Sequence, residues 1–213
     1  MKKQSLRISI LLLFAFTLTV APLLTRKTVS AAETIHETQP VYTTPDGFLL
    51  GAPVPDAYSN LFRGPNGLAT NVQTYVGVGG VYSVWWVVFN HPGTCVTYLC
   101  TFDEPDLVVN TAAHVVSVPG AANLSGSLRV GGGPYSGEVL YEGPEPQLAN
   151  PAGALITLVI RYHGPKSPGS IPDQLSNYLG GCPDGGAPCQ DIQLVVFPGG
   201  ECNGNCSNPL ALP

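Results

Sequence analysis

The chain has 213 residues, a formal net charge of −5, 44% hydrophobic residues and only 11% charged ones. Five of its nine basic residues fall before residue 33, which leaves Arg63, Arg129, Arg161 and Lys166 against fourteen acidic groups, a net charge of −10. A surface of that sign repels phosphate backbones and anionic head groups, so nucleic-acid binding and electrostatic membrane docking are excluded as functions.

Residues 1–32 read as an export signal peptide. Lys2, Lys3 and Arg7 give a basic start, an uncharged and mostly apolar run follows over residues 8–24, and Val29-Ser30-Ala31-Ala32 puts small residues where signal peptidase cuts. Arg26 and Lys27 between that run and the cleavage site hinder translocation, so an uncleaved anchor is the competing reading. Cleaved, the signal leaves a secreted or periplasmic protein with no membrane insertion of the mature chain. Residues 33–47 are polar and rich in Pro and Thr, as in a flexible lead-in.

The 21 prolines and 25 glycines then punctuate the chain too often for long helices. Turn signals stand at Pro45-Asp46-Gly47, Gly64-Pro65-Asn66-Gly67, residues 77–80, residues 131–134 and Gly143-Pro144. Between them, residues 71–76 alternate as a strand, with Val72, Thr74 and Val76 on one face. Residues 82–89 (YSVWWVVF) are apolar on both faces, as a central strand covered on both sides should be. Residues 107–110, 114–118 and 138–141 read as further strands. Residues 122–130 alternate Ala122, Leu124, Gly126, Leu128 and Val130 with polar neighbours, which gives a strand with one wet face. Residues 155–162 and 192–197 complete the set. Ser170 caps one short helix that reaches Leu179, with Gly180 ending it.

The fold class is all-β: an antiparallel β-sandwich, Ig-like or jelly-roll-like, over residues 48–198, with at most one short helix and a C-terminal tail at 199–213. The six cysteines come in close pairs, Cys95 with Cys100, Cys182 with Cys189 and Cys202 with Cys206. Six cysteines permit fifteen connectivities, but pairing in sequence needs no folding coincidence, and export favours oxidation over zinc binding. Each bridge would pin a loop and contribute roughly 2 kcal/mol by the chain-entropy argument.

Motifs for chemistry are mostly missing. Ser136 has Pro134 two places before it and so forms no nucleophile elbow, and there is no HExxH and no Gly-rich phosphate loop. His91 and His163 follow apolar strands and His114 begins one, so these three could meet at a sandwich rim around a transition metal or a proton-transfer site. Asp103, Glu104 and Asp106 are hard oxygen donors of the kind calcium takes. Trp85 and Trp86, being adjacent, face opposite sides of their strand; one is expected in the core, and the other could line a sugar-stacking surface unless both are buried.

Val84-Trp85-Trp86-Val87, Glu104-Pro105-Asp106-Leu107 and Ile160-Arg161-Tyr162-His163-Gly164-Pro165 resemble stretches of a group of secreted bacterial proteins of unknown function. Ala113-His114-Val115 and His163-Gly164-Pro165 are similar to the CHRD modules of extracellular proteins, with Val116 in place of the second histidine. Neither resemblance implies an activity. The expectation is a monomeric exported binding or structural module, needing no cofactor, with an envelope protein or glycan as partner. A metal-binding protein or metal-dependent enzyme is the alternative.

Overall fold

Short runs of Val, Tyr, Trp and Thr bounded by Gly, Pro and Asn bury their side chains best as strands. The computed structural model describes residues 34–45, 49–101, 103–133, 135, 137–182 and 188–200. The signal peptide and the Cys202–Cys206 bridge expected from the sequence lie outside these residues. Among the described residues there are nine antiparallel strands: β1 (Ile35–Thr43), β2 (Pro53–Gly64), β3 (Gly67–Val76), β4 (Gly80–Phe89), β5 (Leu107–Val116), β6 (Gly120–Arg129), β7 (Val139–Glu142), β8 (Leu155–Tyr162) and β9 (Gln190–Phe197). One α-helix among the described residues, α1 (Ile171–Ser176), lies between β8 and β9. The all-β class and the single short helix are as the sequence indicates.

The strands form one sheet in the order β6-β3-β2-β1-β9-β8-β4-β5-β7. β1 is the corner. Its first part pairs with β2 from Ile35↔Arg63 to Pro40↔Tyr58; the register then shifts, Tyr42 pairs with both Pro53 of β2 and Leu194 of β9, and Thr43 pairs with Gln193 of β9. A strand that changes partner at a bulge lets a sheet fold over. β6, at one end, consequently packs on β5 near the other. Close approach needs Gly126: a Cβ there would stand 2.5 Å from Thr111 Oγ1 and 3.2 Å from Trp86 Nε1. The two layers of the expected sandwich are thus the two halves of one curled sheet.

Inside the curl, Leu61, Val72 and Leu124 of one half meet Val84, Trp86, Leu158 and Val195 of the other. At roughly 1.5–3 kcal/mol for each fully buried large apolar side chain, this core dominates the stability. The outer face of β4, β8 and β9 carries a second cluster of Trp85, Val87, Phe89, Leu155 and Val196, covered by Leu50, Leu99 and Tyr178. All ten residues of β4 are buried, as a strand covered on both sides requires.

Two expectations change, and one strand, β2, had no counterpart in the sequence reading. Residues 35–43 are a strand rather than a flexible lead-in, because Glu37 turns inward to the guanidinium of Arg63 and Val41 joins the core. β2 carries no clean apolar alternation: its inward positions include Ser59 and Arg63, and Asp56 sits at a positive φ of 56°. Helix α1 stops at Ser176 rather than Leu179. Ser170 gives no side-chain cap, and the backbone N–H of Tyr178 donates to Glu138.

Candidate functional site

On the outer side of the half-sheet β1-β2-β3-β6, alternation points every second residue at solvent. Register sets these residues in three rows across four strands. His36, Phe62, Ala69 and Ser127 form one row. Thr38, Asn60, Asn71 and Ser125 form the next. Pro40, Tyr58, Gln73 and Asn123 form the third. None of the twelve is Asp, Glu, Lys or Arg. Tyr75, one step beyond Gln73 on the same face, extends the wall. Tyr58, Phe62 and Tyr75 are exposed by 37, 43 and 50%. Formal charges appear only at the edges, with Arg129 one row beyond Ser127 and Asp56 beyond Tyr58.

This wall is partly preorganised. His36 stacks on Phe62 with ring centroids 4.5 Å apart and planes 2° from parallel. Asn60 Oδ1 accepts from Thr38 Oγ1 at 2.8 Å and lies 3.1 Å from His36 Nε2. Those contacts orient the Asn60 amide and leave its NH2 group as a donor for something else. Uncharged amides, hydroxyls and aromatic rings on a flat sheet form a binding surface. They supply no nucleophile with a base.

Both expected disulfides within the described residues form, Cys95–Cys100 and Cys182–Cys189. The acidic residues after the first do not converge. Asp103 accepts from the backbone N–H groups of Val96 and Thr97 and from the Thr97 hydroxyl, and the last of these is the main reason its carboxyl is held below the usual range. Asp106 accepts from the backbone N–H of Asn90 at 2.7 Å, and Glu104 faces the hydroxyl of Tyr141. Beside this loop lies an apolar recess of about 270 Å³, floored by Val108, Val87, Thr157 and Val196 in register across β5, β4, β8 and β9.

The three histidines occupy separate places. His91 follows the end of β4 and pairs with Glu145 at 3.4 Å. His163 lies at the opposite end of the same sheet region, since Tyr82↔Tyr162 and Phe89↔Leu155 bracket the β4–β8 ladder. The seven residues between those two pairs already span roughly 23 Å at about 3.3 Å each, and both histidines lie beyond them. His114 pairs with Tyr82 and so shares its inward face, where Nε2 lies 3.2 Å from both the N and O of Ser125 on β6. It fastens β5 to β6. Among the described residues no group of three His, Cys, Asp or Glu is placed to hold a metal ion.

His163 is fully buried on the outer face. Its Nδ1 lies 3.0 Å from the carbonyl of Gly180, which can only accept, so Nδ1 carries the proton. Nε2 then accepts from Ser83 Oγ at 2.6 Å, and Ser83 Oγ accepts from Trp85 Nε1 at 2.7 Å. The order resembles an activated serine, but Ser83 and His163 are 0% exposed and no substrate reaches them. Beside them Arg161 binds Asp191 at 2.7 Å and the carbonyl of Tyr178 at 2.7 Å, and its guanidinium lies 3.6 Å over the Tyr178 ring. Together these contacts clamp the residues around α1 onto the sheet.

Trp85 and Trp86 are 1 and 0% exposed, so neither offers a stacking surface. The exposed rings lie instead on β2 and β3. Sequence reasoning passed over Tyr58 and Phe62 because it assigned no strand there, although the outward Asn71, Gln73 and Tyr75 of β3 were legible. No family model, no curated protein and no solved structure matches the chain, so functional inference stands on this geometry.

Proposed function

We propose that this protein is an exported, disulfide-stabilised β module of the cell envelope or extracellular space that works by binding through its outer wall. The observation that carries the reading is the register of twelve outward residues on four paired strands, uncharged amides, hydroxyls and rings with no Asp, Glu, Lys or Arg among them. Charged side chains are the ordinary cover of a wet sheet face, because they hold water and discourage contact. Their absence suits a face that gives up its water to a partner. Two disulfides in the described residues fit an oxidising compartment, and no described helix is long and apolar enough to cross a membrane.

Fractionation with intact-mass analysis tests this. The expected species lies outside the cytoplasm, begins near Ala32 or Glu33, weighs six hydrogens less than the reduced chain, and sediments with isolated envelopes. Tyr58→Ala/Phe62→Ala should abolish that sedimentation. A cytoplasmic, reduced protein, or one whose envelope binding ignores the double substitution, contradicts the reading.

A further inference from the structure

The geometry points to an uncharged glycan strand as the partner, lying along β2 and β3 from Phe62 past Tyr58 to Tyr75; this rests on the wall being the working surface. The rings form a track. Phe62 and Tyr58 are four residues apart on β2, about 13 Å at 3.3 Å per residue. Tyr75, beyond the Tyr58↔Gln73 pair, continues the line by roughly 7 Å on the adjacent strand. Between the rings stand the amides of Asn60, Asn71 and Gln73, so that ring and amide alternate along the track.

Each part suits a sugar. A pyranose presents a C–H face, which packs on an aromatic ring, and a rim of hydroxyls, each both donor and acceptor. An amide also donates and accepts, so it can pair with a hydroxyl in either sense, whereas a carboxylate only accepts and an ammonium only donates. Tyr and Phe bring contact area at small entropic cost, and Phe62 is already held by the His36 ring. The Asn60 carbonyl is occupied by Thr38, which fixes where its NH2 group can donate.

Charge separates neutral from acidic glycans. An acidic polysaccharide needs cations, and the arginine that follows Phe62 on β2, Arg63, turns inward and is 1% exposed. Arg129 and Asp56 at the two ends of the wall are of opposite sign. A neutral chain meets no opposing field here, while a polyanion meets a protein of the same sign.

The test uses the exported protein with its disulfides intact, mixed with insoluble cellulose, chitin and starch and, separately, with alginate- and heparin-coated beads. Depletion from the supernatant reports affinity. The expected result is binding to at least one neutral polysaccharide, changing less than about twofold between low and roughly 0.5 M salt because no exposed ion pairs are used. Tyr58→Ala and Phe62→Ala should each weaken it at least about tenfold, in proteins whose thermal midpoints match the parent, since both side chains are exposed. Binding confined to the acidic beads and suppressed by salt overturns the proposal, as does neutral binding that both variants retain. If no polysaccharide binds while the variants still lose envelope sedimentation, the glycan inference fails and the binding-module reading stands. If the variants keep envelope sedimentation, both fail. A concentration-dependent dimer broken by Phe62→Ala overturns the glycan and assigns the wall to a second copy of the chain.

Discussion

Replacing His163 by alanine should cost about 4–6 kcal/mol of folding stability. The ring is fully buried and holds two hydrogen bonds, Nδ1–H to the Gly180 carbonyl and Ser83 Oγ–H to Nε2. Each bond is worth about 1 kcal/mol net, and the two buried partners left unmet add roughly 1–3 kcal/mol. The void from the lost ring adds on the order of 1 kcal/mol more. Urea unfolding near neutral pH, followed by tryptophan emission, measures the loss as a fall in midpoint at constant slope. The same residue sets a pH dependence. Burial, foremost, and the nearby Arg161 hold its pKa below the ordinary value, against the opposing pull of the Gly180 carbonyl, Asp191 and Asp173. The unfolded chain takes up a proton below about pH 6.5 while the folded chain does not, so the unfolded state binds more protons. This contribution is complete above about pH 6.5 and is lost as the pH falls toward the folded pKa. The parent should therefore lose stability between about pH 7 and 5.5, and H163A should lose less over the same range. A cost under about 1 kcal/mol, or equal pH slopes for the two proteins, would refute the buried-clamp account.

Arg161→Leu should destabilise by about 3–5 kcal/mol, because it strands the carboxylate of Asp191 beneath Tyr178, and Arg161→Leu/Asp191→Leu should recover most of that loss in the same urea assay. Removing the Cys182–Cys189 bridge by paired serine substitution should cost roughly 2 kcal/mol, read as a lower thermal midpoint. Gly126→Val forces a Cβ against Thr111 where β6 folds onto β5 and should cost about 1–3 kcal/mol, whereas Gly77→Ala, with open space around it, should be close to neutral by calorimetry.

Legibility in the sequence followed how apolar the inward side of each strand is. β4 and β8 were read correctly because burial on both faces leaves a continuous apolar run, and β6 because its inward Ala122, Leu124 and Leu128 are uninterrupted by charge. β1 and β2 escaped because their inward sides carry Glu37 and Arg63, which bind each other and, through Arg63, the carbonyls of Pro151 and Ala154, and Ser59, which bonds the Thr70 hydroxyl, all only after the fold exists. That loss hid half of the wall. The disulfides were legible from spacing alone, since short loops bring their ends together without long-range information. Histidine placement was not. Strand ends locate a residue along the sheet, but inward or outward facing depends on register, and register put His114 inside the curl and His163 outside it.

Hydroxyl-radical footprinting of the exported protein with and without envelope fraction tests the working surface most directly, because exposed tyrosine and phenylalanine rings label readily and are shielded by contact. The account predicts protection of Tyr58, Phe62 and Tyr75, with labelling at the Cys95–Cys100 loop unchanged. Protection of the disulfide loop with the three wall rings still fully labelled would contradict it.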